Sequence, residues 1–142
     1  MKTNILLVCC FLLVLLFVYT GASKLLDTDR FLSELNNQPI PRILIPYLAW
    51  VIPAIEIFFA VLLIADRTRL MGLAGSFVLM ALFTGYTGLV LSRVFNRVPC
   101  SCGGVIRQLT WPQHLVFNLF FTGLALTGYL IQNQHRKNTG SA

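Results

Sequence analysis

The segment Val98-Pro99-Cys100-Ser101-Cys102-Gly103-Gly104-Val105 sets two thiols one residue apart. Such neighbours can reach the Cα separation of a disulfide, but the ring they close is tight. Strained disulfides belong to the labile, exchanging kind. Arg97 and Arg107 flank the pair, and Gly103 and Gly104 leave backbone N–H groups open; both features favour a thiolate. The glycines also let another polypeptide approach closely. Three chemistries are open to such a pair: reversible thiol–disulfide exchange, an inert structural pair, and metal ligation in a metal- or solute-handling protein; a passive subunit that helps a partner assemble, with dispensable thiols, is a further reading of the whole chain. Metal ligation would have Cys100, Cys102 and His114 hold Cu(I) or Zn(II), with no second Cys or His pair to complete the set.

Other residues stand out because their surroundings are apolar. Glu56 is the one acid inside a long apolar run, and intramembrane carboxylates are candidates for function by default. It reads as a proton relay, a hydrogen-bond partner for a quinone, an orienting partner for Lys24, or a protonated packing group joined to Thr84 or Asn118. Trp50, Pro53 and Glu56 recur every three residues and are expected along one helical face. Together with Tyr86 and Trp111 they outline an expected quinone pocket lined by Trp50, Glu56, Tyr86 and Trp111, although no cofactor is certain. His114 and Asn118, four apart, face the same way and suit either a head-group or helix contact, or a proton-partner role for the thiols. Cys9 and Cys10 read as small apolar packing residues.

The elements that must position these groups follow from composition. Of 142 residues, 56% are hydrophobic and 11% charged, well below the roughly 25% charged share of soluble domains. Charges punctuate four apolar stretches, Thr3 to Ser23, Ile43 to Ala65, Leu70 to Ser92, and a fourth whose apolar part runs from about His114 to Ile131. About 20 helical residues cross a hydrocarbon layer of about 30 Å, so each stretch can span. The expected fold is all-α: one membrane domain over residues 1–135, with spans near 4–23, 43–65, 70–92 and 113–132 packed as an antiparallel four-helix bundle, and a polar tail at 136–142 expected to be disordered.

Thr28 to Leu35 is expected to form a short interfacial helix between the first two spans, capped by Thr28 or Asp29 and ended by Pro39 and Pro41. The first run is read as a retained anchor rather than a cleaved signal, because it exceeds an h-region and stops at Lys24-Leu25-Leu26-Asp27. Small residues four apart, Gly72 with Ser76, Ala81 with Gly85, Thr84 with Gly88 and Gly123 with Thr127, are expected where helices approach. The net charge of +6 is spread over every extramembrane segment, which excludes a nucleic-acid patch and suits anchoring at phospholipid head groups.

Several fragments carry a family resemblance: Tyr19-Thr20-Gly21-Ala22-Ser23-Lys24-Leu25 with Asp27 and Phe31, Pro53-Ala54-Ile55-Glu56, Phe83-Thr84-Gly85-Tyr86, and Pro99-Cys100-Ser101-Cys102-Gly103-Gly104 with Trp111, His114, Phe117 and Asn118. Together they resemble the MauE/DoxX-like family of redox-associated bacterial membrane proteins, over about residues 5–132. The resemblance implies a four-helix bundle in the bacterial inner membrane that supports disulfide formation beside a periplasmic thioredoxin-fold partner, in the namesake during methylamine dehydrogenase maturation. The architecture is also similar to quinone-linked disulfide-generating proteins of the DsbB and vitamin-K-epoxide-reductase type. This chain departs from those in using Cys-x-Cys instead of Cys-x-x-Cys, and in having no second outward cysteine pair to relay electrons.

Four spans put both termini on one face with the turn Asp66-Arg67-Thr68-Arg69, and the cysteine loop on the other. Lys and Arg number five on the terminal face and six on the other, so their count does not orient the chain; the five sit in very short segments, and this density is read as placing the termini in the cytoplasm and the cysteine loop in the periplasm. A reporter that works only after export, fused behind Ala142, is expected to be inactive; activity there would invert this topology.

Overall fold

A computed structural model of the chain describes residues 1–92 and 111–140. Their regular structure is helical throughout: α1 (Lys2–Leu26), α2 (Thr28–Asn36), α3 (Ile45–Ile64), α4 (Arg69–Leu91) and α5 (Trp111–Gly140). Helices α1, α3, α4 and α5 are each long and apolar enough to cross a membrane. Around the bundle the order is α1, α3, α4, α5 and back to α1, while α2 lies against α3 and α1.

The interior is drawn from residues spaced three and four apart, as a helical period requires. On α1, Leu6, Cys9, Cys10, Leu13, Leu16, Phe17, Thr20 and Gly21 are buried, while Ile5, Val8, Phe11, Leu15 and Val18 face outward. The outward face is as apolar as the inward one, the arrangement of a bundle whose solvent is lipid. Cys9 and Cys10 are free thiols within this packing, in keeping with their reading as small apolar residues.

Helix ends are secured locally. Thr68 donates from Oγ1 to the carbonyl of Leu62 at 2.9 Å and Arg69 donates from Nε to that of Leu63 at 3.3 Å, so carbonyls left over at the end of α3 are satisfied by the turn that starts α4. Arg69 also pairs with Asp66 at 2.5 Å. Pro46 sits in the first turn of α3, where a missing N–H costs nothing, whereas Pro53 lies inside the helix and cannot donate to the carbonyl of Ala49.

Three sequence expectations change. The cap of α2 is Asp27 with no side-chain cap bond, and Thr28 instead donates back to the carbonyl of Leu25 at 3.1 Å, because α2 follows α1 with a single residue between them. The polar tail is helical as far as Gly140, where Thr139 bonds to the carbonyl of His135 at 2.9 Å; an established helix propagates into polar sequence at little cost. Of the small-residue pairs, Gly72 and Ser76 are buried, but a Cβ on Gly85, Gly88 or Gly123 would meet no described atom within 4 Å. Spacing reveals a stripe of small residues without saying which stripe turns inward, since both sides are apolar.

Gly72 is where α4 closes on the backbone of α3: a Cβ there would lie 2.9 Å from the nitrogen of Leu63 and 3.0 Å from the carbonyl carbon of Leu62. Backbone cannot step aside as a side chain does, so Gly72→Ala is expected to lower stability in detergent by about 1–3 kcal/mol. Gly123→Ala, in open space within a helix, is expected to be neutral or to stabilise by up to about 1 kcal/mol. Thermal unfolding of the two variants in the same detergent checks the contrast, and equal effects would contradict it.

Candidate functional site

A cavity of about 310 Å³ opens inside one end of the bundle, where α1 and α4 finish and α3 and α5 begin. Leu16, Phe17, Thr20 and Lys24 enter it from α1 at helical spacing, and Leu48, Ile52 and Glu56 from α3. Helix α4 contributes Met80, Phe83, Tyr86 and Thr87, and α5 contributes His114, Phe117 and Asn118. Phe31 and Leu35 of α2, with Gln38 and Ile40 behind it, cover the remaining side. The interfacial helix is thus a wall of the chamber, held there by its buried Phe31 and Leu35 packed with Ile45 and Ala49 of α3.

The walls are mainly apolar and the polar groups meet in defined pairs. Lys24 donates from Nζ to both carboxylate oxygens of Glu56, at 2.8 and 3.0 Å. Glu56 is 2% exposed and the Lys24 side chain 12%, so this is an ion pair withdrawn from solvent, and the ring of Phe31 lies 5.6 Å from Nζ. Tyr86 donates its hydroxyl to Gln38 Oε1, tying α4 to the connection behind α2. Asn118 donates from Nδ2 to Thr87 Oγ1 at 3.1 Å, and Thr87 in turn donates to the carbonyl of Phe83 at 2.8 Å. Thr84 and Thr122 meet through their hydroxyls at 3.0 Å.

Among the readings open for Glu56, the contact with Lys24 is the one the geometry displays, and Glu56 also lines the cavity. Thr84 and Asn118 bond across the α4–α5 seam instead. His114 and Asn118 do share a face and both reach the chamber. Of the expected quinone pocket, Glu56 and Tyr86 line the cavity, Trp111 opens α5, and Trp50 is 61% exposed and outside the lining. A step of three residues turns a helix by about 300°, so two steps leave Glu56 about 120° from Trp50. The three-residue recurrence did not define one face. Arg97, Cys100, Cys102, Gly103, Gly104 and Arg107 lie outside the described residues.

Sequence reasoning gave no site role to Thr20 and Phe31, which it used only for the family resemblance, or to Gln38 and Thr87. Thr20 was within reach, because it precedes Lys24 by four and follows Leu16 by four on the same face. Gln38 carried no signal: an amide between Asn37 and Pro39 looks like loop, yet it is 4% exposed.

Removing one partner of a buried ion pair leaves an uncompensated charge and typically costs about 3–5 kcal/mol, whereas an apolar pair of similar volume can replace both. Lys24→Met and Glu56→Leu are each expected to destabilise the bundle in detergent on that scale. The double variant is expected to be more stable than either, as thermal unfolding around the double-mutant cycle would show; additive losses would mean that the two side chains are not coupled.

The family model described as methylamine utilisation protein MauE matches residues 2–131. No match was found among curated proteins or among solved structures. The matched stretch takes in α1 to α4, most of α5, every residue of the cavity and the Cys-Ser-Cys segment, and on that extent the chain belongs to the MauE family.

Proposed function

We propose that the chain is a thiol–disulfide oxidoreductase of the bacterial inner membrane, with Cys100 and Cys102 as the exchanging pair. The observation that carries the proposal is the placement of two thiols one residue apart, beside Arg97, Arg107 and a Gly-Gly, in the connection from α4 to α5 of a chain that is otherwise almost all membrane span. A purely structural staple has little use for so short a link, because it closes too small a loop to restrict the unfolded chain much.

The exchange is a balanced two-electron, two-proton transfer. The thiolate of one cysteine attacks a sulfur of a partner's disulfide, forming a mixed disulfide and releasing one partner thiolate. The second cysteine attacks the mixed bond, which leaves Cys100 and Cys102 oxidised to a disulfide and the partner reduced to a dithiol. Run backward, the same steps oxidise the partner. The partner is a periplasmic thioredoxin-fold protein, and the Cys segment faces it from the outer side of the membrane. In a methylamine-utilising cell the protein finally served would be the periplasmic dehydrogenase whose disulfides must form.

Cycling is tested by tagging free thiols with a mass label in native membranes before and after mild reduction. The expected result is a shift of two labels that disappears in Cys100→Ser and in Cys102→Ser; a pair that never changes state eliminates the exchange. Cys102→Ser is further expected to accumulate a mixed disulfide through Cys100, visible as a reducible higher-mass adduct. Full biological activity of the Cys100→Ser, Cys102→Ser double variant would show that the thiols are dispensable.

A further inference from the structure

We infer that the cavity between the spans binds a membrane-soluble quinone and its hydroquinone. Its volume of about 310 Å³ stands at the lower end of the roughly 300–1,000 Å³ typical of small-molecule sites. Phe17, Phe31, Phe83 and Phe117 give it flat aromatic walls, which suit a planar ring better than a flexible acyl chain.

Charge and hydrogen bonding narrow the class. Lys24 and Glu56 neutralise each other, so an ionic ligand would enter without a counter-charge and lose its hydration for nothing. A neutral ligand avoids that cost. Lys24 carries three N–H groups and gives two bonds to Glu56, leaving a donor direction for a carbonyl oxygen. The carboxylate of Glu56 and the amide oxygen of Asn118 are acceptors for hydroxyls. A site with both kinds of group accommodates the carbonyls of a quinone and the hydroxyls of the hydroquinone, which a purely donating or purely accepting pocket does not. The bilayer around the bundle is itself the reservoir of such a ligand.

Joined to the thiol exchange proposed above, on which this step rests, the quinone is the oxidant of the cysteine pair. Two electrons and two protons leave the dithiol as it closes to a disulfide, and the quinone takes up both to become hydroquinone. Binding alone does not depend on the thiols.

The test is photolabelling of the purified protein in lipid nanodiscs with an azido-benzoquinone carrying one isoprene unit, followed by peptide mapping. The expected adducts fall on cavity residues such as Phe31, Tyr86 and Phe117, are lost with excess unmodified short-chain quinone, persist with excess oleate, and form equally in the Cys100→Ser, Cys102→Ser double variant. Adducts confined to outward residues such as Trp50 and Val116, or removed as well by oleate as by quinone, overturn the inference. Cavity labelling in a protein whose thiols never cycle would sink the exchange and leave the quinone site; cycling thiols without cavity labelling would do the reverse.

Discussion

The pairing of Lys24 with Glu56 is the constraint around which this end of the molecule is organised. Neither charge is tolerable alone in a low-dielectric interior, and each is brought to the other by a different span: Lys24 from the last turns of α1, Glu56 from the middle of α3. The bond therefore fixes how far α1 slides along α3. With that register set, Gly21 comes so close to α3 that a Cβ there would lie 2.9 Å from Ile57 Cδ1 and 3.4 Å from the carbonyl oxygen of Pro53. Phe31, at the start of the next helix, is drawn over the ammonium group, and α2 lies down across α3 instead of continuing α1 outward.

The polar side chains of the bundle divide into two kinds by where their bonds go. Ser23, Ser76, Thr87 and Thr127 each donate to the carbonyl four residues earlier in their own helix, as does whichever of Thr84 and Thr122 accepts the bond that the other donates between them. Such hydroxyls are satisfied wherever the helix is placed and make no demand on the tertiary structure. Bonds that cross between elements are different, because they require two segments to meet. Lys24 with Glu56, Tyr86 with Gln38, and Asn118 with Thr87 all do so at the cavity, and Thr84 meets Thr122 about one turn deeper. Among the described residues, and apart from the α3–α4 turn where Arg69 bonds back to Leu63, the groups that need the fold in order to be satisfied are thus gathered around the cavity.

Much of this was legible in the sequence because charge is so scarce in it. Lys2, Lys24, Arg42, Asp66, Arg69 and Arg93 bracket the first three spans, and α1, α3 and α4 begin and end within a few residues of these charges. Glu56, Tyr86, His114 and Asn118 were conspicuous for the same reason, as polar groups in apolar runs, and all four line the cavity. What failed was any inference needing the inward face of a helix. In a soluble protein the polar stripe marks the outside; here Trp50 and Gly123 look outward across a surface as apolar as the core, and no periodic signal separates the two. Gln38 failed for the opposite reason, as a polar residue in a polar-looking connection that is buried and bonded to Tyr86, 48 residues away in sequence.

The two proposed activities divide along this same physical boundary. Thiol exchange with a protein needs sulfurs that another polypeptide can reach, hence a connection outside the spans, whereas a lipid-soluble electron carrier needs a chamber reached through the bilayer. Residues 93–110 join the end of α4 to the start of α5, the two helices whose Tyr86, Thr87, His114 and Asn118 face the chamber. Along the chain, Cys100 follows Thr87 by thirteen residues and Cys102 precedes His114 by twelve, so one connection links the proposed exchange to the chamber. On the two proposals together, a carrier that meets the cysteine pair directly would take the place of a second pair as the route for electrons inward.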